Sequence, residues 1–112
     1  RYLKAATAVL SKIPITAITR QMTSADAPNV WFEGATAVTM TVQLPDTGTL
    51  PLGARFYYLD NTSGTDQVAV QTFTGAALIT LTVGVGRFFY FTDETAGNTA
   101  AAWTNSATDI GW

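Results

Sequence analysis

Residues 38–64 read VTMTVQLPDTGTLPLGARFYYLDNTSG: an alternating run, a turn carrying two prolines, a second apolar run and a polar turn. Val38, Met40, Val42 and Leu44 fall on one side of an extended chain and Thr39, Thr41 and Gln43 on the other, the two-residue period of a half-buried strand. Pro45, Pro51 and Gly53 bend the chain before a second strand over Arg55 to Leu59. That strand is apolar on both faces, because Phe56 and Tyr58 alternate with Tyr57 and Leu59. Burial on both sides follows, by a second sheet on one and by another subunit on the other.

The same pattern continues downstream. Gln67 to Phe73, Ala77 to Val83 and Arg87 to Thr92 read as strands, the last two separated by Gly84, Val85 and Gly86, a spacing that suits a tight hairpin with a bulge. The aromatic runs FYYL and RFFYF look alike, which reads as shared composition. Upstream, Val30 to Phe32 is a short strand after a polar loop over Thr23 to Asn29. Pro14 and Pro28 interrupt the first third, where Ile13, Ile15 and Ala17 share one face of an extended segment. Short strands or an arm fit best; a helix over residues 3–12 competes through the spacing of Leu3, Ala6 and Leu10, against Thr7, Val9 and Pro14. The prediction is an all-β fold, an antiparallel β-sandwich or jelly roll of about 7–9 short strands with an extended N-terminal arm. One domain covers residues 1–112: arm and first short strands over 1–34, main strands over 35–104, tail over 105–112.

Composition narrows the function. A chain of 112 residues buries roughly two-thirds of its unfolded surface, one modest core. Charged residues are 12% against about 25% in ordinary domains, while apolar residues reach 47%, so the surface is quiet and adhesive. A net charge of −2 with six basic residues offers no patch for a phosphate backbone, so no nucleic-acid partner is expected. Without cysteine there is no disulfide or thiol chemistry, and without histidine a serine nucleophile lacks its usual base. No run approaches the ~18 apolar residues of a membrane helix, and Lys12 cuts short the only leader-like segment, so neither membrane nor signal peptide is expected. The start at Arg1 reads as processed or trimmed.

The remaining chemical candidates are weak. Asp60, Thr62, Gly64 and Asp66 alternate as calcium ligands can, but DNTSGTD lacks the other ligands of an EF-hand and suits an ordinary turn. Asp93 and Glu94 are adjacent and diverge on an extended chain, whereas acid–base pairs converge. Gly84 and Gly86 lack the third glycine and the helix of a dinucleotide loop. Ser11 and Lys12 have no supporting context. A non-enzymatic protein with no metal or cofactor is expected. Aromatic rings suggest another use, since Trp31, Tyr57 or Trp103 could stack on a sugar, with Tyr90 and Trp112 as further rings.

Taken together, Leu44, Pro45 and Asp46 closing a strand, Gly53 before Arg55 and Phe56, and Asn61 to Gly64 as a turn form an ordered series. Val68, Val70 and Gln71 follow, then Gly84, Thr92, Asp93, Gly97 and Trp103. In this series the chain resembles bacteriophage virion proteins over more than half its length, and in size it resembles the capsid decoration proteins, staples or cements, of short-tailed, epsilon-fifteen-like phages. Phage tail-fibre and spike domains share the pattern within longer chains. The resemblance implies a protein of the virion's outer surface that binds across junctions of the major capsid protein and stabilises the particle, with a second copy of itself, as dimer or trimer, as a further partner. The expected contact residues are Tyr2, Leu3, Val9, Leu10 and Ile13 of the arm and Trp103, Ile110 and Trp112 of the tail. The alternative is a carbohydrate- or receptor-binding module.

Overall fold

The structure, a computed structural model, describes residues 10–14, 19–34, 39–62 and 67–106. Among them run β1 (Ser11–Pro14), β2 (Thr19–Gln21), β3 (Asn29–Glu33), β4 (Met40–Gln43), β5 (Arg55–Asp60), β6 (Val68–Gln71), β7 (Ala77–Leu81), β8 (Gly86–Phe91) and β9 (Trp103–Asn105). They form two sheets, ordered β1-β3-β5-β8-β9 and β2-β4-β6-β7. One apolar cluster drawn from both sheets lies between them, so the predicted all-β sandwich is what the chain forms. In β4, Met40 and Val42 are buried while Thr41 and Gln43 are half-buried, as their period requires.

The pairing departs from a wholly antiparallel jelly roll. Up to β6 the chain alternates between sheets, so β1, β3 and β5 run parallel in one, and β2, β4 and β6 run parallel in the other. Among the described residues only β5–β8, β8–β9 and β6–β7 are antiparallel. Parallel neighbours need a crossover, usually a helix; here the crossover passes through a strand of the opposite sheet. Alternation in sequence sets which face a residue takes but not the direction of its neighbour, and that is why the expected sandwich forms with much of its sheet pairing parallel rather than antiparallel. Parallel stacking also sets like beside like: Gln21, Gln43 and Gln71 form one row across the four-stranded sheet. Gln21 Nε2 donates to the carbonyls of Met22 at 2.8 Å and Leu44 at 3.0 Å.

The two aromatic runs are partners rather than a coincidence of composition. Phe56 lies opposite Phe89, and Tyr57 opposite Phe88, in the antiparallel pair β5–β8. On the inner face Tyr58 meets Phe32 edge-on at 5.4 Å and Phe89 at 5.6 Å, while Trp103 packs on Phe56 at 6.0 Å and Phe91 at 5.8 Å. The predicted hairpin over 77–92 does not form, because β7 and β8 lie in different sheets. Gly84, at φ +83°, carries the change of sheet: its N–H donates to the Asp60 carbonyl at 2.7 Å, and Asp60 N–H donates to the Val85 carbonyl at 3.0 Å. A register shift does occur, but between β6 and β7 at Val70/Gln71.

The described part of the first third is built into the sandwich. Residues 11–33 supply β1, β2 and β3, and Ile13 belongs to the core. Ser11 and Lys12 are strand, Leu10 immediately precedes them, and the rest of the alternative helix, residues 3–9, lies outside the described residues. Trp103 opens β9 instead of beginning a free tail.

Candidate functional site

The two outer faces of the sandwich differ in chemistry. That of the four-stranded sheet carries Thr19, Gln21, Thr41, Gln43, Gln71 and Thr80, polar side chains set by the alternation of each strand. The five-stranded sheet is aromatic instead. Register places Lys12, Trp31, Leu59 and Gly86 in one outward row, Asn29, Tyr57 and Phe88 in the next, and Arg55, Tyr90 and Thr104 in a third. Tyr57 is fully buried within this face, its ring 4.8 Å from Phe88, and burial pushes its phenol pKa up. Its phenol lies over Gly86: a Cβ there would sit 2.6 Å from Tyr57 Cζ and 3.0 Å from the Tyr58 carbonyl oxygen, so only glycine fits.

Around Tyr57 the rings are half-buried. Phe88 and Tyr90 stack at 6.2 Å, and the exposed Arg55 guanidinium lies 5.1 Å above the Phe88 ring. Trp31 borders an open hollow of about 400 Å³ with Leu10, Leu59 and Asn61. Lys12 and Glu33 pair at 3.3 Å on the rim. Half-exposed rings with the Arg55 guanidinium above them and a polar rim form a surface suited to contact by packing and stacking.

The carboxylates are engaged in turns. Asp93 Oδ1 accepts from the Thr95 hydroxyl at 2.7 Å and the Thr95 N–H at 3.0 Å, and these bonds, the hydroxyl first, lower its pKa. Asp60 Oδ1 accepts from the Thr62 hydroxyl at 2.6 Å and its N–H at 2.9 Å, the turn geometry expected of DNTSGTD. Gly64 and Asp66, the other calcium candidates, lie outside the described residues, among which no cluster of acidic side chains could hold a metal. Asp46 accepts from Asn98 Nδ2 and from Gly48 N–H, both at 3.0 Å, and Asn98 is the larger cause of its lowered pKa.

Asn98 is the hub of a latch that the sequence reading passed over as loop. Its Oδ1 accepts from Thr47 N–H at 2.9 Å and its carbonyl from the Thr74 hydroxyl at 2.9 Å, while the Thr47 hydroxyl donates to the Gly97 carbonyl at 2.9 Å. Three loops are thereby joined around a hollow of about 460 Å³ lined in part by Asp46, Phe91 and Glu94. The series Leu44-Pro45-Asp46 and Gly97 thus meets in space through a structural tie.

The individual site residues fare differently. Trp103 is 7% exposed and lies in the core, so it presents a ring neither to a capsid nor to a sugar. Tyr57 is buried as well, which removes it as a sugar platform. Ile13 faces the core, and Leu10 and Trp31 meet at the hollow on the aromatic face. Tyr2, Leu3, Val9, Ile110 and Trp112 lie outside the described residues. Phe88 and Arg55 were not singled out as contact residues; the signal for Phe88 was RFFYF, apolar on both faces, and Arg55 opens the strand that pairs with it.

No protein-family model and no curated protein sequence matches the chain. A solved structure of a chaperone-substrate complex is similar to 88% of this chain, with 19% identity and a TM-score of 0.48. This chain spans 17% of that one, and a likeness at this level carries no argument about fold or function.

Proposed function

We propose that this chain is a non-enzymatic decoration protein of a bacteriophage capsid, bound to the outer surface of the shell across junctions of the major capsid protein. The reading rests on the sequence resemblance to such proteins, and the observation that favours a binding role is the aromatic outer face of the five-stranded sheet. Trp31, Leu59, Phe88 and Tyr90 stay half-buried there with Arg55 over Phe88. Packing such a face against a partner removes apolar area from water at about 25 cal/mol per Å² before the costs of association. The mechanism is mechanical. A protein that binds only the assembled lattice stabilises that lattice by its binding free energy. Engagement of Asp46, Asp60 and Asp93 in turn hydrogen bonds fits a structural role.

The test is cosedimentation of the purified chain with undecorated, expanded shells of a short-tailed phage, beside unassembled capsid subunits. Saturable binding to shells alone is expected; equal binding to free subunits, or none to shells, contradicts the proposal. One observation favours a second reading. The open hollow beside Trp31, rimmed by Asn61, could seat a sugar ring, as a carbohydrate- or receptor-binding module would require. A glycan array decides it: saturable sugar binding lost in Trp31→Ala, without affinity for shells, replaces the capsid reading.

A further inference from the structure

The four terminal strands of the two sheets are guarded unequally. An edge strand offers a row of unpaired N–H and C=O groups, and proteins blunt it with charge, proline or shortness. In β1 Lys12 and Pro14 are exposed; β2 is three residues long and carries Arg20; β9 is three residues long. β7, the other edge of the four-stranded sheet, has five residues, ALITL, with no charge and no proline. No charged residue occurs in sequence between Asp66 and Arg87. Among the described residues no strand pairs with the outer side of β7, and two of their exposed large apolar side chains, Phe73 and Val83, flank its ends at 38% and 46% exposure. The register shift next to β6 touches only its start, leaving Ile79, Thr80 and Leu81 in regular register with Val70, Ala69 and Val68.

We propose that β7 is a self-pairing edge: it joins antiparallel to β7 of a second copy of this chain, centred on Thr80, and merges two four-stranded sheets into one of eight. A second copy is favoured by charge. Apposing β7 with itself brings no like charges together, whereas self-pairing of β2 would set Arg20 against Arg20 of the partner, and that of β1 would set Lys12 against the partner's core-facing Ile13. It is favoured also by register. With Thr80 opposite its counterpart, a threonine pair on the polar outer face, each Ile79 faces the other copy's Leu81 on the inner side. Those residues already pack with the core, so the apolar interior continues across the junction. This inference does not depend on the capsid reading.

The test uses the fact that the chain has no cysteine. Directly opposed residues of an antiparallel pair lie about 4.5–5.5 Å apart at Cα, within disulfide reach. Thr80→Cys under mild oxidation is therefore expected to give a covalent dimer, while Thr104→Cys, exposed on the β9 edge, stays monomeric. Independently, wild type is expected to sediment as a dimer and Thr80→Lys, at an exposed position, as a folded monomer with an unchanged far-ultraviolet spectrum. A monomeric wild type overturns the proposal. So does a dimer that persists in Thr80→Lys, or one that cross-links through Thr104→Cys and not Thr80→Cys.

Discussion

Replacing Tyr58 by Phe should stabilise this protein. The Tyr58 side chain is fully buried in the aromatic cluster, and its hydroxyl has no hydrogen-bond partner among the described residues. In the unfolded chain that hydroxyl is bound to water, so folding strands it at about 1–3 kcal/mol. Removing the oxygen leaves a void of about 10 Å³, worth only about 0.2 kcal/mol at the usual cavity coefficient. The ring contacts with Phe32 and Phe89 remain. The net gain is about 1 kcal/mol, a rise of roughly 4–6 °C in Tm for a domain of this size. The pH dependence gives a second handle. Burial, followed by the Asp26 carboxylate, raises the Tyr58 pKa above its ordinary 10.0, while Arg20 acts in the opposite direction. A phenol whose folded pKa is raised contributes its full share of stability below pH 10 and loses it as pH rises above that, at about 1.4 kcal/mol per unit. Tyr57, raised by burial too, adds in the same direction in both proteins. Urea melts of wild type and Tyr58→Phe at neutral and strongly alkaline pH should show the variant more stable at neutral pH and less steeply weakened by alkali. A variant destabilised by 1 kcal/mol or more, or one with the wild-type alkaline slope, would refute the reasoning and show the hydroxyl to be satisfied.

Gly86→Ala should destabilise by roughly 1–3 kcal/mol, since the added methyl meets the Tyr57 phenol and the Tyr58 carbonyl. Combined with Tyr57→Leu its extra cost should shrink, and a double-mutant cycle with no coupling would rule out that contact. Asn98→Ala should cost about 1–3 kcal/mol by leaving Thr47 N–H unbound, measured as a shifted urea midpoint. Asp46 and Asp93 have lowered pKa values, so their contributions are present above the ordinary 3.8 and fade as pH falls through the folded values. Asn98→Ala should flatten the Asp46 share of that acid loss, and an unchanged acid profile would contradict the latch.

Much of the fold was written locally. Met40 and Val42 announce β4 by period alone, and FYYL announces a strand dressed on both faces. What was not legible is what joins distant elements. The parallel rows through Gln21, Gln43 and Gln71 recur at unequal intervals, so no repeat shows in the sequence, and period two is silent on strand direction. Gly84 reads equally well as a hairpin turn or as a change of sheet; the aromatic complement of β5 decides in favour of the latter, by pairing it with β8. The same holds for the site. An aromatic second face was legible, and so was its need for cover. Which rings sink and which remain was not: Tyr57 is sealed by its approach to Gly86, Trp103 is drawn inward between Phe56 and Phe91, and Phe88 and Tyr90 are left outside.

The role of that outer face can be measured in one titration. Undecorated shells of a short-tailed phage are cosedimented with wild type and with Trp31→Ser/Tyr90→Ser, both residues being half-buried and outside the core. Saturable binding by wild type and a loss of tenfold or more in affinity, about 1.4 kcal/mol, by a variant with the same melting behaviour is the predicted result. Equal affinity of the two proteins for the shell, or no binding by wild type, contradicts the claim that this face binds the capsid.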